Sequence, residues 1–213
     1  VACRAQFDNV VNRRMYVTGG IGSNRHGERF TFDYDLPDET AYAETCASIG
    51  LVFFAHRMLN IEADAKYADV MELALLNGVA AGVSPDGTSF FYGNPLASVP
   101  MIDGNGVYHN EDFAYRRSSW FGCACCPPNI ARLFASLTGF AFSTSDDGLF
   151  VHLYAAGTME TGLAGTRVSV RTETDYPWNG TVRMTVSPAQ PAQFALALRI
   201  PGWSRGATIR VNG

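Results

Sequence analysis

Cys123-Ala124-Cys125-Cys126-Pro127-Pro128-Asn129 is the stretch from which the organisation of this chain can be read. Three of the five cysteines fall within these residues, and two prolines follow at once. An amphipathic run then begins, with Ile130, Leu133, Phe134 and Leu137 on one face and Gly139 behind it. Proline is tolerated in the first turn of a helix, and glycine commonly ends one. The spacing predicts a helix from about Pro127 or Pro128 to about Thr138, with the cysteine pair just ahead of its first turn. Unpaired N–H groups and a partial positive charge at such a start favour thiolate over thiol. Adjacent cysteines rarely bridge each other, because the ring would strain the peptide between them. Small buried packing residues are one reading. Three cysteines at the mouth of a helix favour a metal site or a reactive thiolate.

Upstream of this stretch the pattern is helical, with long loops. Phe7, Val10, Val11 and Met15 give residues 1–16 a roughly helical stripe. Thr18-Gly19-Gly20-Ile21-Gly22-Ser23 then breaks it. Glycines so dense mark unusual backbone angles or a close approach. The block lacks the Lys-Ser/Thr ending of a phosphate loop and the spacing of a dinucleotide fingerprint. The polar segment Asn24–Asp38 mixes His26, Glu28, Asp33, Asp35 and Asp38 with Phe30, Phe32 and Tyr34. A long loop of this composition is often functional in a compact domain. A helix is expected from about Glu39 to Asn60, with Asp38 as its cap and Tyr42, Cys46, Ile49 and Phe53 on one face. On a regular helix Glu44 and Cys46 would lie about 200° apart. They could share a ligand only if the backbone there departs from a helix. Another helix is expected from Ala65 to Ala81, and irregular chain from Ser98 to Ser119.

Downstream the character changes near residue 140. Asp146-Asp147-Gly148 reads as a turn. Leu149–Ala155, Arg167–Thr172, Thr181–Val186 and Phe194–Ile200 read as strands, punctuated by Pro177, Pro188, Pro191 and Pro201. The expectation is an antiparallel sheet arranged as a sandwich. Asn179-Gly180-Thr181 matches a glycosylation sequon, a match that arises readily by chance in a turn.

With 213 residues, 47% of them apolar and 17% charged, the chain is long enough to bury a core. A formal charge of −4 gives no reason to expect nucleic acid or an anionic membrane as a partner. No apolar run approaches the roughly 18–20 residues that span a bilayer. Five cysteines, an odd number with three of them clustered, do not resemble a disulfide framework, and reduced thiols fit a cytoplasmic-type compartment. The chain opens at Val1-Ala2-Cys3 without an initiator Met and ends at Asn212-Gly213, and so reads as a piece of a longer protein. Any leader would lie upstream.

Asn9-Val10-Val11-Asn12-Arg13-Arg14-Met15-Tyr16-Val17-Thr18-Gly19-Gly20-Ile21-Gly22 is one of four blocks that together carry a family resemblance. The others are Asp35-Leu36-Pro37-Asp38-Glu39-Thr40-Ala41-Tyr42-Ala43-Glu44-Thr45-Cys46-Ala47-Ser48, then Cys125-Cys126-Pro127-Pro128-Asn129, then Leu196-Ala197-Leu198-Arg199-Ile200-Pro201-Gly202-Trp203. In this order they resemble the β-L-arabinofuranosidases of glycoside hydrolase family 127. The resemblance implies an α+β multidomain protein: an (α/α)6 barrel followed by an antiparallel β-sandwich. Residues 1–140 would then be the later part of the catalytic barrel, and 141–213 an incomplete β-sandwich domain. The resemblance also implies one zinc ion held by Glu44, Cys46, Cys125 and Cys126. Cys125 would be the nucleophile, Glu28 the general acid/base and Tyr92 a sugar contact. The family's sugar-binding histidines would lie ahead of Val1. The substrate would be an L-arabinofuranose-containing glycan or glycoside. A partial barrel would leave apolar helix faces uncovered, which favours association, including a homo-oligomer.

Glu-Cys3 around zinc is closed in the structural sense, with no place for a metal-bound water. Zinc would instead keep Cys125 deprotonated and aimed. Retaining glycosidases ordinarily pair two carboxyl groups, and here a thiolate would replace the nucleophilic one. Zinc makes the sulfur a poorer nucleophile, which is the cost of the arrangement. Two rival classes remain: a non-catalytic carbohydrate-binding scaffold with a structural zinc site, and a thiol redox or sensor protein using Cys123, Cys125 and Cys126.

Overall fold

Apolar residues at helical spacing in the first two thirds of the chain, and at spacing two in the last third, separate helices from strands. A computed structural model of the protein describes residues 1–97, 117–146 and 148–213. The irregular stretch expected over Ser98–Ser119 lies largely outside the described residues, as does Asp147 of the expected turn. The helices are α1 (Ala2–Arg13), α2 (Thr45–Leu59), α3 (Ala65–Leu73) and α4 (Cys126–Ser136). The strands are β1 (Phe142–Thr144), β2 (Gly148–Val151), β3 (Gly157–Leu163), β4 (Thr166–Thr174), β5 (Val182–Pro188) and β6 (Ala195–Leu198). No helix among the described residues is long and apolar enough to cross a membrane. The chain divides into two units, Val1–Glu62 with Asp69–Ala135, and Ala63–Ala68 with Ser136–Gly213.

In the first unit α2 is the central element. Ser48, Ile49, Val52, Ala55, Met58 and Leu59 recur at three- and four-residue steps and are buried. Each apolar side chain so buried contributes about 1.5–3 kcal/mol. After α3 the helix continues differently from the expected single span to Ala81. Ala74–Val79 is a π-helical turn and Ala80–Gly82 a 3-10 turn, and the π turn packs against α2.

The glycines make this packing close. A Cβ on Gly78 would stand 2.8 Å from the Ser48 hydroxyl, one on Gly82 would stand 3.3 Å from Thr45 Oγ1, and one on Gly20 would stand 3.1 Å from the Ala43 Cβ. Gly19, at φ +78°, would put a Cβ 2.7 Å from the Ala74 backbone. The glycine block therefore serves a backbone-to-backbone approach.

The start of α2 differs from the expected one by six residues. The helix was expected from Glu39, capped by Asp38; it begins at Thr45, with Glu44 as the capping residue at φ −57°, ψ 138°. The physical reason is tertiary hydrogen bonding. Tyr42 N donates to Ser23 O at 3.3 Å and Ala43 N to Gly22 O at 2.8 Å. Asn94 N donates to Tyr42 O at 3.0 Å, Asn94 Nδ2 to Ala43 O at 2.9 Å, and Thr45 N to Tyr92 O at 2.9 Å. These partners hold residues 42–44 out of the helix, and Ala43 takes a left-handed φ of 38°. Asp38 instead accepts at its carbonyl from Leu96 N and Ala97 N.

In the second unit two three-stranded sheets form, in the orders β1-β2-β6 and β3-β4-β5. β3, β4 and β5 make an antiparallel meander. Alternation along β4 buries Val168, Val170 and Thr172 and exposes Arg167 and Arg171. Leu149, Leu163, Val168 and Val170 form the core, with Phe142, Met159, Met184, Val186 and Phe194 against it. One pairing departs from the antiparallel expectation: β2 and β6 are parallel, with Leu149 opposite Leu196. Antiparallel neighbours need only a hairpin, whereas parallel ones need a long connection, and the β3–β5 meander lies between these two strands. The strand expected over Leu149–Ala155 stops at Val151, because His152 N and Leu153 N turn to the Ala141 carbonyl at 2.8 and 3.3 Å.

Candidate metal centre and the adjoining cavity

Four segments of the first unit supply this site: the loop before α2, the first turn of α2, the loop around Tyr92, and the start of α4. The tertiary bonds that delay α2 leave Glu44 extended and Cys46 helical, so the expected 200° separation does not apply. α4 begins one or two residues earlier than expected, at Cys126. The Cys125 carbonyl accepts from Asn129 N at 3.2 Å, the first bond of the helix, so Cys125 caps it while Cys126 lies within. Pro127 and Pro128 occupy the first turn, where a missing N–H removes no helical bond.

Glu44, Cys46, Cys125 and Cys126 converge. One donor atom from each lies within 4.8 Å of every other. Cys46 Sγ is 3.5 Å from Cys126 Sγ, although 80 positions separate the two in sequence. Cys125 Sγ is 3.7 Å from Cys126 Sγ and 3.3 Å from Glu44 Oε1, and Cys126 Sγ is 3.6 Å from the same oxygen. These are not disulfides, and all five cysteines are free. A tetrahedral zinc with sulfur at about 2.3 Å would have sulfur–sulfur edges of roughly 3.8 Å. Three thiols and one buried carboxylate at these spacings fit such an ion. Glu44 is only 7% exposed.

Burial explains why the group wants a cation. It pushes the Glu44 carboxyl upward, partly countered by the thiols that donate to it. Burial likewise pushes the Cys125 thiol up to about 12. Cys126 is pushed upward, first by its contact with Cys46 and then by burial. Cys46 is the exception, lowered to about 7, first by its hydrogen bond with Cys126.

The cluster abuts an open cavity of about 970 Å³. Tyr92, Tyr42, Glu28, Asp35, His26 and Cys123 are among its lining residues. The Cys125 thiol donates to Tyr92 Oη at 3.1 Å, and Tyr42 Oη donates to Glu28 Oε1 at 3.1 Å. The Tyr42 and Tyr92 rings are 6.3 Å apart, and Phe121 packs edge-on against Tyr92 at 5.3 Å. Glu28 stands at the end of a four-residue turn. The Asn24–Arg29 bridge closes this turn, His26 N donates to Asn24 Oδ1 at 2.7 Å, and Glu28 itself has a left-handed φ of 46°.

Two of the other loop carboxylates, Asp33 and Asp35, have structural partners. Asp33 accepts from Arg13 at 2.5 Å and Arg14 at 2.6 Å, which ties the loop to the end of α1. Asp35 accepts from Thr31, itself 2.9 Å from Ser23. Sequence reasoning placed Tyr42 on a helix face and so missed it as a site residue. No local signal in the sequence would have found it, because tertiary bonds to Ser23 and Asn94 set its backbone.

Comparison with known proteins identifies the family. Residues 2–139 match the β-L-arabinofuranosidase GH127 catalytic domain, and residues 148–213 the GH127 middle domain. A non-reducing end β-L-arabinofuranosidase of Bifidobacterium longum subsp. longum is 46% identical over 97% of this chain and 32% of its own length. The chain thus spans about a third of the length of that curated relative. A crystal structure of a GH127 β-L-arabinofuranosidase from Geobacillus stearothermophilus T6 superposes with a TM-score of 0.91 and 53% identity, covering 96% of this chain and 32% of that one. A further GH127 β-arabinofuranosidase structure gives 0.82 and 43%, over 92% of this chain and 29% of the other. With two consecutive domains matched and this level of identity, the chain belongs to the β-L-arabinofuranosidase family GH127.

Proposed function

We propose that this chain belongs to a zinc-dependent retaining glycoside hydrolase that releases β-L-arabinofuranose from an L-arabinofuranose-containing glycan or glycoside. Residues 1–140 would form the later part of its (α/α)6 barrel and 141–213 the start of a β-sandwich. The observation that carries the reading is the position of Cys125. Its sulfur belongs to the Glu44/Cys46/Cys126 cluster and also touches Tyr92 on the wall of the cavity that Glu28 lines.

In the first step Cys125 Sγ attacks the anomeric carbon and the bond to the leaving oxygen breaks, with Glu28 giving its proton to that oxygen. In the second, Glu28 takes a proton from water, the water oxygen bonds to the anomeric carbon, and the carbon–sulfur bond breaks. Two inversions give net retention. Cys125 by itself is a thiol at neutral pH, since burial holds it near 12. Zinc held by Glu44, Cys46, Cys125 and Cys126 would supply the charge that keeps this sulfur a thiolate. Tyr92, beside the sulfur, is placed to touch the sugar.

The test uses the intact protein with an aryl β-L-arabinofuranoside. Proton NMR should show release of the sugar with its β configuration retained. An electrophilic arabinofuranose analogue should label Cys125 and not Cys123. Label on Glu28 or Glu44 would make a carboxylate the nucleophile. Binding of the sugar without release would favour the non-catalytic scaffold, and loss of the metal on mild oxidation would favour the thiol sensor.

A further inference from the structure

Glu28 is an exposed residue on a turn, and a carboxylate in that position samples many rotamers. A general acid/base must nevertheless meet the leaving oxygen within hydrogen-bond reach. We infer that Tyr42 is the positioning residue that solves this problem: its phenol donates to one oxygen of Glu28 and leaves the other to carry the travelling proton. The inference rests on the role proposed above for Glu28.

The donor is rigidly held. Tyr42 is 3% exposed. Its backbone N–H is bound to Ser23 and its carbonyl to Asn94, while Ala43 behind it is bound to both Gly22 and Asn94. Its ring packs in a cluster with Tyr92, Phe121 and Cys126. The hydroxyl that emerges from this setting stands 3.1 Å from Glu28 Oε1. A side chain pinned at both its backbone and its ring thus reaches out to one that is exposed to solvent. A phenol, with an ordinary pKa of about 10, is an O–H donor at neutral pH. A carboxylate has two oxygens, and a donor on one of them fixes which lone pairs remain for chemistry.

The same short segment also fixes the nucleophile's surroundings. Tyr42 donates to Glu28, and Glu44, two residues on, meets the thiols. One hydrogen-bonded segment of backbone thereby carries a contact to each of the two proposed reacting groups. Proximity of this kind is worth much: a displacement of about 1 Å can cost roughly a hundredfold in rate.

Tyr42→Phe keeps the ring and removes only the donor. In the intact protein, kcat/KM should fall about tenfold to a hundredfold for an alkyl arabinofuranoside, a poor leaving group. For a dinitrophenyl arabinofuranoside, whose departure needs no proton, it should change by less than about threefold. Metal content by elemental analysis should be unchanged. In a Glu28→Gln background the same substitution should add almost nothing, since residues acting as a unit are non-additive. Equal losses on both substrates, loss of metal, or full additivity with Glu28→Gln would each overturn the positioning role. Glu28→Gln alone separates the two ideas. If it shows no dependence on the leaving group, the acid/base assignment fails. If it shows that dependence and Tyr42→Phe does not, only the present inference fails.

Discussion

The Cys125 thiol donates to the Tyr92 hydroxyl across 3.1 Å, while the same sulfur lies 3.3 Å from the Glu44 carboxylate. One atom thus touches the lining of the cavity on one side and the four-donor cluster on the other. Its neighbour in sequence does not share this position: Cys126 is completely buried. The difference comes from α4, whose first turn encloses Cys126 and leaves Cys125 as the cap.

The two cysteines should therefore fail differently when mutated. Cys125→Ser in the intact protein should lower kcat by at least about a thousandfold, since it removes the proposed nucleophile, while sugar binding persists. Cys126→Ser should lose metal first, with a fall in melting temperature of about 10 °C and activity lost as a result. Calorimetric melting and elemental analysis on both variants check this. The same metal loss and melting shift in both would mean the two thiols are equivalent.

Metal uptake should release protons. At pH 7.5 the metal-free protein keeps Cys125 protonated by burial and Cys126 protonated by its neighbours and burial, while Cys46, near 7, is largely a thiolate. All three must be deprotonated to bind. Zinc should displace about two protons or slightly more, measured by titration calorimetry in buffers of different ionisation enthalpy. Below about pH 7 Cys46 takes up its proton in the metal-free state, so the number should rise towards three and affinity should fall more steeply with acid. A release of one proton or fewer at pH 7.5 would contradict the burial argument.

Glycine substitutions offer a control for packing. Gly78→Ala would drive a methyl to 2.8 Å from the Ser48 hydroxyl, which costs about 1–3 kcal/mol for an overpacked contact. In a chain of this size that lowers the melting temperature by roughly 3–10 °C. Gly50→Ala, within α2, meets nothing within 4 Å and should raise stability by up to about 1 kcal/mol through helix propensity. Thermal melts of the two variants should move in opposite directions.

What the residues alone made legible was local. The alternation of Val168, Val170 and Thr172 showed β4, and Pro127-Pro128 showed the start of α4 to within two residues, because both signals depend on a few neighbours. The four-donor set came from the family resemblance, since spacing alone argued against pairing Glu44 with Cys46. That objection assumed a helix from Glu39, and Glu-Thr-Ala-Tyr-Ala-Glu does look helical by propensity. Bonds to Gly22, Ser23 and Asn94 overrode it, and no local pattern encodes them. β1 has only three residues and β3 carries Gly157 and Gly162, so neither gave a strand signal. The parallel pairing of β2 with β6 depends on what lies between them, which strand composition does not express.

The turn that carries Glu28 is built separately from the cluster. Its own Asn24–Arg29 bridge closes it, and the Thr31, Asp33 and Asp35 contacts anchor the loop that follows, whereas the four donors come from other segments. A relative could therefore shorten or lose this turn and still fold, still take up metal and still stain as a metalloprotein. Metal content would then be a poor diagnostic of hydrolytic ability across such sequences. A glutamate at the end of a turn matching residues 24–29, with a tyrosine two places before the glutamate of the donor cluster, would be the better marker to look for when sorting active members from inert ones.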